Sequence, residues 1–168
     1  MEEDLIKTLS PLVLAHIGGN VTLHPVNASE SPSSEVTARA CDFPIEDIKT
    51  LSPLVLAHIG DAYFHLYVRT RLLQVTHNIT RLHDLSAQIV SAPAQAKTYH
   101  AIESSLTDEE REIFRRGRNA KSHAPRKATI AEYHASTGFE ALLGDLFLRK
   151  NFARLEEICE LAFKEALT

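Results

Sequence analysis

LSPLVLAHIGDAYFHLYVR, residues 51–69, decides the fold. Ser52-Pro53 is a helix start, with serine as N-cap and proline at the first helical position, where its missing N–H costs nothing. The apolar pattern then runs to about Leu72. One acid, Asp61, stands inside it between Ile59 and Phe64. Burying a carboxylate is costly unless it is paired or holds a metal. Read alone, Gly60-Asp61-Ala62 favours a structural role: an ion pair, or an N-cap after a helix break at Gly60. His58 and His65 flank Asp61 at −3 and +4. Hydrogen bonding is the stronger reading for both, because hard cations prefer oxygen. Tyr63, Phe64 and Tyr67, at helical spacing, read as core.

The remaining chain from Pro44 also reads as helix. The patterns predict helices over 77–90 and 92–105. Thr107-Asp108-Glu109-Glu110 is a capping box that opens another, running to about Arg116 and stopping at Gly117. Ser122 to Lys127, with Pro125, reads as a loop. Helices over 128–149, with Ser136 a point where it could break, and over 152–166 close the chain. Cys159 reads as a packed thiol. No segment alternates like a strand, so the expected class is all-α.

The second notable run is GFEALLGDLFL, 138–148. Glu140 and Gly144 lie four apart on one helix face, with apolar residues between them. A lone acid on a close-packing, glycine-bearing face invites a partner helix with a matching small residue, and Gly60 would serve. Two helices crossing at Gly60 and Gly144 would bring Asp61 and Glu140 together. Two carboxylates at one buried spot cannot both stay ionised without a cation, and a hard divalent ion is the natural one. Asp145 falls on a different face.

Composition bounds the function. The 168 residues suit one domain, perhaps with an appended tail. Two cysteines without a motif, Cys41 and Cys159, exclude a disulfide scaffold or zinc ribbon. No apolar run approaches the roughly 20 residues that span a bilayer. The acidic MEEDLIK start lacks the positive charge of a secretory signal, so a cytoplasmic location is expected and the sequons at Asn27 and Asn78 carry no meaning. The formal charge of −4 argues against a nucleic-acid binder until it is divided. REIFRRGRNAKSHAPRK, 111–127, carries net +6, which leaves −10 elsewhere. Such a run alone is usually a solvated face. Here it meets a helix end and an Asn-Ala-Lys-Ser loop, a combination suited to phosphate contacts.

Together these pieces resemble Mini-ribonuclease III, a compact family related to ribonuclease III that lacks the double-stranded-RNA-binding domain. LSPLVLAHIGDAYFHLYVR (51–69) resembles its first acidic helix, and VSAPAQAKTYH (90–100) the start of a following helix. LTDEEREIFRRGRNAKSHAPRKA (106–128) resembles its basic segment, and EYHASTGFEALLGDLFL (132–148) its second acidic helix. The four motifs lie in register over 45–168. The resemblance implies an all-helical endoribonuclease, homodimeric and magnesium-dependent. It implies cleavage of double-stranded RNA in maturing 23S ribosomal RNA ends, with a ribosomal protein as a possible presenter of that RNA. The family's catalytic aspartate falls on Asp61 and its metal-binding glutamate on Glu140. Two further carboxylates of larger ribonuclease III enzymes fall on Ala57 and Thr137, which leaves fewer protein ligands per ion. Arg115, Arg116, Arg118, Asn119, Lys121 and Lys127 are the candidates for gripping the RNA backbone, a shape-based mode of recognition. The rival reading is a non-catalytic RNA-binding or ribosome-assembly protein on the same fold, against which the retained acids argue.

The N-terminal 44 residues form a separate unit. IKTLSPLVLAHIG occurs at 6–18 and again, identically, at 48–60. Two copies make no solenoid. Between them lies a Pro- and Ser-rich stretch read as a disordered linker. The first copy is followed by Gly19 where the second has Asp61, so it cannot supply the acid. The copies could compete for one slot in the core, and the second is expected to win because only it continues into Tyr63–Leu72. Deleting residues 1–43 should therefore leave the helical circular dichroism and RNA cleavage intact. Loss of solubility or dimerisation on truncation would contradict this.

Overall fold

Ser52 caps the helix that it was expected to open: its side chain accepts from the Val55 backbone N–H at 3.3 Å, with Pro53 in the first turn. In this computed structural model, which describes residues 45–120 and 129–166, that helix continues unbroken from Pro53 to Leu72. Glycine at position 60 does not break it, and Asp61 caps nothing. The residues described form seven α-helices and no strand. They are α1 (Ile45–Ile48), α2 (Pro53–Leu72), α3 (Ile79–Ile89), α4 (Ala92–Ile102), α5 (Asp108–Arg118), α6 (Ile130–Leu148) and α7 (Phe152–Ala166). The first copy of the repeat, the linker, Cys41, the 122–127 loop, Lys121 and Lys127 lie outside the described residues.

Side-chain caps set the starts. Asn78 and Ser91 open α3 and α4 by accepting from Arg81 and Ala94 N–H groups. Thr107 and Thr129 each close a capping box, with Glu110 and Glu132. The expected 92–105 helix ends at Ile102 and tightens into a 3₁₀ turn, Glu103–Ser105. The expected break at Ser136 is absent. The Ser136 hydroxyl donates to the Tyr133 carbonyl inside the helix and leaves the backbone ladder whole.

The core is organised around α6. Every residue from Ala135 to Leu146 except Glu140 is buried. A helix apolar on all sides must be surrounded, and α2, α4, α5 and α7 all pack against it. Two of these contacts are closer than side chains allow. At the α2–α6 crossing, a Cβ on Gly60 would lie 1.9 Å from the Glu140 carbonyl oxygen, and one on Gly144 2.0 Å from that of Leu56. At the α5–α6 crossing, a Cβ on Gly117 would lie 2.7 Å from the Ala141 Cβ, and one on Gly138 2.8 Å from Phe114. Gly117 is therefore a packing residue and not the helix stop read from sequence; α5 runs on to Arg118. Phe114 reaches across to stack on Tyr99 of α4, with ring centroids 3.4 Å apart.

Among the described residues, two of the more buried ion pairs join separate helices. Glu110 accepts from the Thr107 N–H and takes a two-pronged contact from Arg154 of α7 at 2.9 and 3.0 Å. Those bonds hold its carboxyl below the usual range. Glu160 of α7 accepts from the Tyr67 hydroxyl at 2.7 Å and from Arg71 at 2.9 Å, fastening α2. Asp145, on the face away from the α2 crossing, pairs with Arg149 at 2.6 Å. Tyr63, Phe64 and Tyr67 pack in or against the core as expected. Cys159 is a fully buried thiol whose pKa burial pushes up.

Gly144→Ala tests the close crossing. Alanine gains about 1 kcal/mol of helix propensity. The clash with backbone atoms that cannot swing aside costs on the order of 3 kcal/mol. Chemical denaturation should show a net loss of about 2 kcal/mol or more; a stabilised variant would refute the contact.

Candidate active site

The glycine crossing sets the positions of two acids. Asp61 follows Gly60 on α2, and Glu140 precedes Gly144 by one turn on α6. With the two backbones in contact at those glycines, the acids share one end of the crossing. Burial pushes the Glu140 carboxyl up to about 8, the negative charge of Asp61 adds to the rise, and a hydrogen bond from the Gln95 side chain opposes it. The juxtaposition read from the sequence is thus present.

Asp61 is the more open of the two, its side chain 45% exposed. His65, one turn on, approaches the Asp61 Oδ1 through Nε2 at 3.2 Å. Arg69, a further turn on, faces His65 Nδ1 at 3.4 Å. Arginine can only donate, so Nδ1 accepts, and a neutral ring then carries its proton on Nε2 toward Asp61. His65 orients the aspartate without needing a charge. His58 is exposed.

Ala57 and Thr137 are both buried. The Thr137 hydroxyl is used within its own helix, donating to the Tyr133 carbonyl at 2.9 Å. Among the described residues there is no cluster of three or more His, Cys, Asp or Glu able to hold a metal. The donors on offer are two carboxylates and, close by, a buried Gln95 Oε1 that lacks a partner. All are hard oxygens. That set fits an oxygen-seeking divalent ion that keeps most of its own water, and fits a soft or tightly caged metal poorly.

The basic candidates divide into groups. Arg115 is exposed and forked onto Glu112 at 2.7 and 2.8 Å. Arg116 is half-buried and donates to the Leu51 carbonyl at 3.3 Å, tying α5 to the start of α2. Arg118 and Asn119 are exposed and line a cleft of about 620 Å³ with Tyr99, His100 and His134. The cleft lies along α4 and α6, the same helices that carry Gln95 and Glu140. Glu140 is six residues from His134, roughly 9 Å along a helix axis. Gln95 was not singled out from the sequence. Its signal was a polar residue in register with Tyr99 and Ile102 on the buried face of α4.

A model of the Ribonuclease III domain family matches residues 54–151. The chain is 47% identical over 104 residues to the Mini-ribonuclease 3 of Symbiobacterium thermophilum, covering 61% of this chain and 80% of that protein. It is 44% identical over 102 residues to the Mini-ribonuclease 3 of Staphylococcus aureus, covering 58% and 76%. A crystal structure of a Fusobacterium nucleatum protein superposes with a TM-score of 0.63 at 34% identity, covering 68% of this chain and 93% of that one. With the matched span running through both acid-bearing helices, the chain belongs to the ribonuclease III-domain family, as a Mini-ribonuclease 3 endoribonuclease.

Proposed function

We propose that this endoribonuclease cuts double-stranded RNA with Asp61 and Glu140 as its catalytic, ion-holding acids, and that its ion is magnesium. Precursors of 23S ribosomal RNA are the natural substrate in this reading, which the Mini-ribonuclease 3 resemblance supports. The observation that carries the site assignment is the pairing of the two acids at the glycine crossing, where burial, and after it the charge of Asp61, pushes Glu140 up to about 8. A fold gains nothing from burying a carboxylate beside a second one.

Magnesium bound there would supply an activated water and charge stabilisation at the scissile phosphate. The chain's own residues do the rest. Asp61 and Glu140 hold the ion, and His65 keeps Asp61 in one orientation. Arg118 and Asn119, with Arg115, Arg116, Lys121 and Lys127, grip the sugar–phosphate backbone, so sequence preference is loose. A homodimer completes the reading. One small domain without an accessory module offers a duplex little surface, and a two-fold pair faces both strands. Action in the cytoplasm, on RNA presented by a ribosomal protein, belongs to the same proposal.

Asp61→Asn, assayed on duplex RNA with magnesium, should lose at least about 10²-fold in cleavage rate while retaining its helical spectrum. Cleavage at the wild-type rate would remove Asp61 from the chemistry.

The raised Glu140 carboxyl gives a pH prediction. Folded protein keeps a proton that an unfolded chain releases near 4.5, the ordinary range. Metal-free stability therefore falls as pH rises from about 4.5 to about 8, where folded Glu140 finally ionises. Glu140→Gln should flatten that slope in thermal melts with chelator present. Magnesium affinity should run the other way, rising toward pH 8 as the competing proton leaves. A slope unchanged in Glu140→Gln would show that the glutamate is not the group responsible.

A further inference from the structure

Asp61, His65 and Arg69 follow one another at four-residue spacing on α2, and their contacts join them into one ladder. Asp61 Oδ1 meets His65 Nε2 at 3.2 Å, and His65 Nδ1 meets a terminal nitrogen of Arg69 at 3.4 Å. Side chains on a helix lean toward its N-terminus, so the guanidinium lies back over the His65 turn. One imidazole ring separates it from the Asp61 carboxylate. Arg71, Arg149 and Arg154 are committed to the carboxylates of Glu160, Asp145 and Glu110. Arg69 differs. Among the described residues it pairs with no carboxylate, and its contact with His65 uses one nitrogen of a fork with five donors. The residue is exposed, so the other donors are open to a ligand. A cation so near an ion site repels the ion. That placement is a liability in the bare protein and an advantage once a phosphate lies between the two charges. The other candidate backbone contacts, from Arg115 to Lys127, lie on α5 or after it, and none is on the helix that carries Asp61.

We propose that Arg69 is a substrate-binding residue: its guanidinium, held by His65 one imidazole away from Asp61, takes the RNA phosphate that flanks the scissile one. The inference rests on the reading that the two acids hold an ion against duplex RNA. A guanidinium fork matches phosphate oxygens in geometry as well as charge. Arg69 also stands in the last turn of α2, where a cation complements the helix dipole. A dipole role shows in stability alone. A phosphate contact shows in the salt dependence of binding, because each phosphate neutralised releases counterions.

The test is binding of a fluorescent RNA duplex to the full-length chain, with chelator present to prevent cleavage, over a series of salt concentrations. The proteins are wild type, Arg69→Gln, Arg69→Lys and Arg71→Gln, with thermal melts alongside. Arg69→Gln should bind on the order of 10-fold more weakly at low salt. Its plot of log affinity against log salt should be shallower by about one. Arg69→Lys keeps the charge without the fork, so it should restore the slope and part of the affinity. Arg71→Gln loses the tie to Glu160 and should melt lower with the wild-type slope. An Arg69→Gln protein that melts lower but keeps the wild-type slope would reduce Arg69 to a dipole partner and overturn the proposal. Manganese titrated without RNA gives a second readout. Arg69→Gln should bind it at least as tightly as wild type; weaker binding would mean that Arg69 supports the ion site through His65, and would also overturn the proposal. A wild-type chain that fails to bind the duplex removes the RNA reading, and this proposal with it. Wild-type binding with an unchanged slope in Arg69→Gln removes this proposal alone.

Discussion

Two helix backbones touch where α2 crosses α6, and the rest of the molecule is arranged to permit it. Gly60 and Gly144 are each other's clearance: neither tolerates a Cβ without striking a main-chain atom of the opposite helix. Side-chain packing can relax by changing rotamers, but a backbone-to-backbone contact cannot. The position of Asp61 relative to Glu140 is thus set by the main chain, which makes the acid pair stiffer than any arrangement built on loops. The energy for this close approach comes from the surroundings. Phe64, Val68 and Leu72 of α2 pack with Phe139, Leu142 and Leu146 of α6 in one continuous core.

The same logic repeats at the second crossing. Gly117 and Gly138 bring α5 against α6, and Phe114 on α5 stacks with Tyr99 on α4. The cleft holding Arg118 and Asn119 is thereby referenced to the same central helix as the acids. The candidate backbone grip and the candidate ion site share one rigid member. Polar ties at the periphery hold the outer helices to this frame: Glu110 with Arg154, and Glu160 with Tyr67 and Arg71.

Much of this was legible in the residues because its signals are local or paired. Ser52-Pro53 and the Thr107–Glu110 box state their helix starts within four residues. The small-residue match between Gly60 and Gly144, each beside an acid on an apolar face, was enough to bring the two helices together. Other features were hidden for definite reasons. Gly117 carries the same letter as a helix stop, and only the approach of Ala141 and Gly138 distinguishes the two uses. Ser136 looks like a weak point, but its hydroxyl is absorbed by the preceding turn. Gln95 shows as a polar residue out of pattern, yet nothing in sequence says which acid it faces, 45 positions away. Ile48 of α1, fully buried beneath α2 and α6, lies in a stretch too short to show any period.

The central helix has a consequence for how the protein comes into being. An element apolar on every side has no stable existence in water by itself, and α6 is synthesised after α2, α4 and α5, the walls that must receive it. Gly60 meets Gly144 across 84 positions of chain, so the acid pair closes through one of the longest loops in the domain. Until α6 enters, a growing chain already displays the basic end of α5 but holds only one acid of the proposed ion site. Hydrolytic competence therefore arrives together with the finished fold.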